Sequence, residues 1–265
     1  MMEKMIFGRY VPAHSVIHKM DPRSKLVIIF LFVCIVFIAN NSLTYGLIAL
    51  YTLGMISLSK VPFRFIISGL KPVLWLVLFT LVLHLFLTKE GDLIFQAGWF
   101  SIYEEGLRQG IFISLRFFLL ILMTSILTLT TTPIEITDGL ESLLNPLNKI
   151  KFPVHELALM MSISLRFIPT LMQETDKIMK AQTARGVDFS SGPVKDRVRA
   201  IIPLLIPLFV NSFKRAEELA TAMEARGYRG GEGRTKYRQL SWGMKDTSML
   251  VFLGILTALL FLFRT

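Results

Sequence analysis

The chain has 265 residues, of which 53% are hydrophobic, and a formal net charge of +10, with a mean hydropathy of +0.57. Apolarity at that level excludes an ordinary soluble domain and points to a polytopic membrane protein. The positive charge then needs no nucleic acid, because Lys and Arg collect in cytoplasmic loops that face an anionic leaflet.

The first 25 residues carry Lys4, Arg9, Lys19, Arg23 and Lys25 ahead of the first apolar run. That run begins too far along for a cleavable signal, so the N-terminal segment is expected to be cytoplasmic. Met20-Asp21-Pro22-Arg23-Ser24-Lys25-Leu26 reads as a helix start, with Asp as N-cap, Pro as first helical residue and two cations at the membrane edge. At most it would also anchor the helix or touch a partner. Five apolar runs follow: Leu26 to Ala39, Leu43 to Leu58, Pro72 to Leu87, Leu107 to Leu129 and Thr247 to Phe263. Several fall short of the ~20 residues of a straight span. The tight Asn40-Asn41-Ser42 connection makes the first two a helical hairpin, with a shallow re-entrant pair as the alternative. Cys34, the single cysteine, lies inside the first run and can form no internal disulfide.

Cations recur at Lys60, Arg64 and Lys71 and again from Lys149 to Lys245, whereas the loop from Lys89 to Gly106 carries Glu90, Asp92, Glu104 and Glu105. The positive-inside rule then predicts an inside N-terminus, five spans and an outside C-terminus. Arg116 sits within the fourth run, where a charge is costly. It faces a cavity or partner, or it is paired inside the bundle or snorkels outward. His84 has the same alternatives near the outer end of its helix.

Residues from Thr131 to Asp246 are too many for a loop and too apolar for a free-standing domain. They read as three helices. The first opens on Thr132-Pro133-Ile134-Glu135, a capping box with proline at the first position, and carries Leu140, Leu143, Leu144, Leu147 and Ile150 at helical spacing. The second spans roughly Val154 to Arg185, about 45 Å if straight, with a bend expected at Pro169. The third spans about Lys195 to Arg226, with an apolar stripe from Val198 to Met223 and Pro203 and Pro207 permitting a bend. Both long helices are apolar at the start and charged at the end. They are expected to lie near the inner leaflet, with a re-entrant dip over Ile201 to Val210 as the alternative. The predicted fold class is therefore an all-α integral membrane protein with about five transmembrane helices and three long cytoplasmic or interfacial helices. Residues 1–131 would form an N-terminal membrane region with four spans, 132–246 the cytoplasmic helices, and 247–265 a last span.

Each long helix closes on the same tripeptide, Ala184-Arg185-Gly186 and Ala225-Arg226-Gly227, within the longer frame Ala-x-x-Ala-Arg-Gly. A single copy could be plain helix punctuation, a left-handed glycine cap with a cation favoured by the helix dipole. Capping, however, does not require Arg rather than Lys at the same offset twice. Arginine also presents a fixed fork to a carboxylate pocket. Two equivalent arginines point to two equivalent partners.

Enzyme chemistry is missing from the pattern. No Gly-x-x-x-x-Gly-Lys cradle occurs, so ATP, if used, is hydrolysed by another polypeptide. His14, His18, His84 and His155 are scattered, and even the four-residue spacing of His14 and His18 lacks a third ligand. No metal site, bound cofactor or catalytic residue is expected.

These features together resemble the transmembrane coupling subunit of energy-coupling factor (ECF) transporters, the EcfT type, related to the CbiQ membrane subunit of cobalt importers. The likeness covers nearly the whole chain. It rests on Asp21-Pro22-Arg23-Ser24-Lys25-Leu26, on Thr132-Pro133 and Leu144-Asn145-Pro146-Leu147, on Phe167-Ile168-Pro169, and most specifically on the two Ala-Arg-Gly tips. The resemblance implies a non-catalytic subunit of a prokaryotic plasma-membrane importer for a micronutrient such as a vitamin. It would join two ABC-type ATP-binding subunits, which use ATP and Mg, to a membrane-embedded substrate-binding S component. By position, Arg185 and Arg226 would dock in one ATPase each, flanked by Ala184, Gly186, Ala225 and Gly227, and the helices would be cytoplasmic coupling helices.

The nearest rival is a dedicated cobalt or nickel importer. A stand-alone secondary transporter should show repeated transmembrane halves and a polar midplane site, and neither is evident. A scaffold or assembly factor would bind partners without changing their ATPase rate.

Overall fold

The computed structural model describes residues 10–97, 100–189, 193–230 and 238–264. Lys4 and Arg9 of the N-terminal cation cluster lie outside them. The chain is almost wholly helical: α1 Pro22–Val36, α2 Ser42–Ser59, α3 Phe63–Leu87, α4 Glu104–Thr130, α5 Pro133–Leu144, a 3-10 helix Asn145–Ile150, α6 Val154–Ala184, α7 Val194–Ala225 and α8 Met244–Leu262. It divides into two compact units. One holds 8–143 and 239–265, and the other holds 1–7 and 144–238.

In the membrane unit α1, α2, α4 and α8 surround a core in which Phe32, Tyr45, Ile48, Met123, Leu253 and Leu260 are fully buried. Large apolar side chains on the outer faces, such as Phe30, Leu50, Trp75 and Phe252, are exposed, as lipid-facing positions should be. Four helices, α2, α4, α6 and α8, are long and apolar enough to cross a bilayer, and the bent α3 makes a fifth. The fold is that of an all-α membrane protein.

The structure refines several expectations. The first apolar run becomes a helix of only 15 residues, about 22 Å long, closed at Phe37 before the hairpin turn. A capping box that the sequence reading did not include then opens α2, as Asn41 Oδ1 accepts from the Thr44 N–H at 2.9 Å and Thr44 Oγ1 from the Asn41 N–H at 3.1 Å. The third run extends back to Phe63, and the helix bends by 53° where Phe63–Lys71 meets Val73–Leu87. Pro72, a residue type without a backbone N–H to donate, stands between them in the sequence. Close packing of α4 on α3 depends on Gly106, because a Cβ there would come within 2.9 Å of the Thr88 carbonyl oxygen.

The acidic connection contains an antiparallel hairpin, β1 Leu93–Ala97 and β2 Phe100–Tyr103. The helix opening at Thr132 is capped as expected, with the Thr132 N–H donating to Glu135 Oε2 at 2.9 Å and the Glu135 N–H to Thr132 Oγ1 at 3.3 Å. It ends at Leu144 rather than at Ile150, because Pro146 cannot continue an α-helical ladder and the chain tightens into 3-10 turns.

Candidate functional site

The two Ala-Arg-Gly tips adopt the same backbone structure. At the first, the Gly186 N–H donates to the Thr183 carbonyl at 2.9 Å and the Val187 N–H to the Gln182 carbonyl at 3.0 Å. At the second, the Gly227 N–H donates to Glu224 at 2.9 Å and the Tyr228 N–H to Met223 at 3.0 Å. Both are Schellman motifs, with φ of +88° at Gly186 and +73° at Gly227. The glycines are required by that positive φ, since a Cβ on either would meet nothing within 4 Å.

The cap accounts for the glycines and leaves the arginines unexplained. Arg185 and Arg226 are the C-cap residues, and their backbone N–H groups alone serve the cap. Both side chains are exposed, as are Ala184, Gly186, Ala225 and Gly227. Among the described residues neither guanidinium has a hydrogen-bond or ion-pair partner. Each tip is thus a rigid turn bearing one uncommitted fork between two small residues.

A second element relates the tips. Arg215 Nη2 of α7 donates to Glu174 Oε1 of α6 in a partly buried ion pair, and Gln182 Nε2 donates to the Pro203 carbonyl at 3.5 Å. As numbers rise along α6, their partners fall along α7, so the two helices cross with opposed directions. The Ala-Arg-Gly repeat has an offset of 41 residues, and the same offset carries Glu174 onto Arg215. The ion pair therefore lies at the pseudo-two-fold centre of the repeat. Each tip lies eleven residues beyond its own half of the pair, about 16 Å along its helix, and the two tips point to opposite ends of the cross. Beside the pair a groove of ≈ 340 Å³ is lined by Ile163, Phe167 and Leu171 of α6 and by Ala216, Leu219 and Met223 of α7. The C-terminal half of the expected α7 stripe packs there. Its N-terminal half, including Ile201, Ile202, Leu205, Phe209 and Phe213, remains exposed. The ion pair was not read from the sequence; the repeat offset applied to the acidic residues of α6 gives two acid–arginine candidates, Glu156 with Arg197 and Glu174 with Arg215.

The helix-start motif does more than start a helix. Asp21 caps α1 by accepting from the Arg23 N–H at 2.8 Å. Its own N–H donates to Asp246 Oδ1 at 2.9 Å, and the Ser24 hydroxyl donates to the same oxygen. Asp246 Oδ2 accepts from the Gly243 N–H at 2.8 Å, and Lys25 Nζ donates to the Thr130 carbonyl at 3.1 Å. Asp21, Ser24, Lys25 and Asp246 are all buried. This polar knot ties α1 to α4 and α8.

Arg116 is paired inside the bundle. Its Nε donates to the Tyr45 hydroxyl at 3.1 Å and its Nη2 to the Ala39 carbonyl at 3.2 Å, with Phe37 stacked beneath it at 5.2 Å. His18 has both ring nitrogens engaged, one with Ser15 Oγ at 2.6 Å and one with the Val11 carbonyl at 3.0 Å. Burial holds its imidazole below the ordinary range, against the hydrogen bond to Val11. Among the described residues no group of three or more His, Cys, Asp or Glu side chains is arranged to hold a metal ion.

The fold and the tips define a class: a polytopic all-α membrane protein carrying a crossed helix pair with duplicated, arginine-bearing ends. The comparisons narrow it. The family model described as CbiQ, Cobalt transport protein, matches residues 13–237. Three relatives carry the name energy-coupling factor transporter transmembrane protein EcfT. That of Bacillus subtilis (strain 168) is 70% identical over 264 residues, covering 100% of both chains. The Listeria innocua protein is 57% identical, again over 100% of both, and the Exiguobacterium sibiricum protein is 54% identical over 98% of this chain and 99% of its own. The chain belongs to the CbiQ family, as a transmembrane subunit of the energy-coupling factor, EcfT type.

Proposed function

We propose that this chain is the coupling subunit of an ATP-driven micronutrient importer, neither hydrolysing ATP nor binding a cofactor itself. Arg185 and Arg226 each enter a carboxylate-lined groove of one ATP-binding subunit, and ATP and Mg are consumed in those partners. A membrane-embedded substrate-binding component sits on the apolar surfaces, with vitamins as the substrate class. The observation that carries this reading is the pair of identical caps, each holding one exposed, unpaired arginine, set about a pseudo-two-fold centre at Glu174–Arg215. A two-fold pair of ATPases is the partner such symmetry fits. Alanine and glycine flanks leave the fork sterically open, and truncating a charge that becomes buried on docking costs about 2–5 kcal/mol.

The charge distribution supports a multi-pass plasma-membrane placement with the N-terminus and coupling helices in the cytoplasm. In that arrangement residues 1–131 and 247–265 are the membrane regions and 132–246 the coupling region. The family description favours a second reading in which the cargo is cobalt or nickel. Uptake of labelled metal against labelled B vitamins, measured with the assembled complex, separates the two. The docking role itself is tested one tip at a time. Arg185→Glu and Arg226→Glu should each lower the ATPase subunits co-purified per chain by about half, and unchanged stoichiometry in both would refute it.

A further inference from the structure

Arg23 was left by the sequence as one of two cations at a helix start, yet its guanidinium reaches three separate parts of the membrane unit. Nε donates to Asp21 Oδ1 at 3.1 Å and Nη2 to Asp21 Oδ2 at 3.0 Å, an ion pair within α1's own cap. Nη1 donates to Ser142 Oγ at 3.3 Å, and Nη2 also donates to the Leu240 carbonyl at 3.2 Å.

Those last two acceptors occupy special places in the chain. Segment 144–238 belongs to the other compact unit, so the chain leaves the membrane unit after Leu143 and returns at Gln239. Ser142 lies just before the exit and Leu240 just after the return. Both roots of the helix-pair segment are thus hydrogen-bonded to one side chain. Asp21 orients that side chain and is itself bonded through its N–H to Asp246 of α8. The exit root is further seated because Gly139 of α5 lies against Pro22 and Leu26, where a Cβ would come within 3.1–3.3 Å.

We propose that Arg23 is a positioning residue that clasps the two roots of the coupling segment, so that displacement of that segment passes into the membrane unit instead of being absorbed by slack at its attachments. Any covalently transmitted force must cross these two roots. A planar guanidinium can hold two acceptors and a carboxylate at once, whereas a lysine ammonium, a compact point charge, retains the pairing with Asp21 and lacks the fork. The transmission part of this inference rests on the coupling role proposed above, while the clasp itself does not.

The test places spin labels on cysteines introduced at the exposed positions Leu143 and Ser241, with Cys34 replaced by Ser, and reads the label–label distance distribution in the full chain. The unmodified clasp should give one narrow distribution. Arg23→Lys should broaden it at least twofold, and Arg23→Gln at least as much. A merely stabilising arginine would lower thermal stability in these variants without widening the distribution. In proteoliposomes of the assembled complex supplied with tritiated B vitamins, Arg23→Lys should keep its ATPase subunits and lower uptake per ATP hydrolysed at least fivefold. Distributions as narrow in Arg23→Lys as in the parent overturn the clasp. Broadening with unchanged uptake per ATP overturns the transmission role. If Arg23 variants are not recovered folded, Ser142→Ala, which removes one arm, carries the test: a broadened distribution supports the clasp and the parent width refutes it. Failure of the unmodified chain to retain ATPases would instead count against the coupling role, and the distance measurement on the isolated chain would still decide the clasp.

Discussion

Asp246 is the residue on which the inner edge of the membrane unit should depend most. Asp246 is 3% exposed, and its carboxylate accepts from the Asp21 N–H, the Ser24 hydroxyl and the Gly243 N–H. Asp246→Ala strands the buried Asp21 N–H, at a cost of about 1–3 kcal/mol, while the Ser24 hydroxyl keeps the Asp21 carbonyl, 2.7 Å away, as an acceptor. It also removes the reach-back bond that caps α8, worth about 0.5–2 kcal/mol. The combined loss is about 2–5 kcal/mol. For a unit of this size each kcal/mol moves the unfolding midpoint by roughly 2–4 °C, so a fall of about 10 °C is expected. Asp246→Asn retains an oxygen for the α1 donors but turns an amide toward the Gly243 N–H, and should lose about half as much. Ser24→Ala removes one hydroxyl, shared between Asp246 and the Asp21 carbonyl, leaves the Asp21 and Gly243 N–H bonds in place, and should cost least. The assay is thermal denaturation of the detergent-solubilised chain, read as the surviving monodisperse fraction by size exclusion. An Asp246→Ala midpoint within 2 °C of the parent would refute the reasoning.

Other expectations concern the helix pair and the N-terminal segment. Glu174→Arg should destabilise the α6–α7 cross by placing like charges together, and the swap Glu174→Arg with Arg215→Glu should recover at least half of the loss in the same thermal assay. Gly186→Ala and Gly227→Ala meet no steric obstacle, so each should cost only the strain of a left-handed alanine, about 1–2 kcal/mol, seen as lowered helicity on heating. His18 is held neutral, so the unfolded chain takes up a proton more readily than the folded one as pH falls through its ordinary value of 6.5. Stability should therefore be full above that pH and decline below it, and His18→Gln should flatten the difference in midpoint between pH 7.5 and pH 5.5.

Features set by neighbouring residues were legible in the sequence. The Thr132–Glu135 box, the Asp21 cap and both glycine-closed tips are local hydrogen-bond patterns, and each occurs in the structure where its residues stand. What depends on distant partners was not legible. Asp246 reads as an ordinary first-turn acid until α8 lies beside Asp21 and Ser24, 225 and 222 residues away. Arg116 could be read two ways until Tyr45 and the Ala39 carbonyl fixed its partners. The β-hairpin was hidden because the acids of its connection signalled an external loop, while Leu93 to Tyr103 is only two short strands. Glu174–Arg215 lies between these extremes, since its partner is remote but the repeat offset narrows the acid–arginine candidates of α6 to two, and the crossing point of the helices selects this one. Arg185 and Arg226 were found because duplication, unlike burial, is visible in one dimension.

The most direct measurement of the central claim is co-purification of the chain with its host's ATP-binding cassette subunits, comparing the parent with Arg185→Glu plus Arg226→Glu. The account predicts that the parent brings both ATPase positions down filled and that the double variant, still folded and membrane-inserted, brings down neither. ATPases retained at parent stoichiometry by the double variant would contradict it.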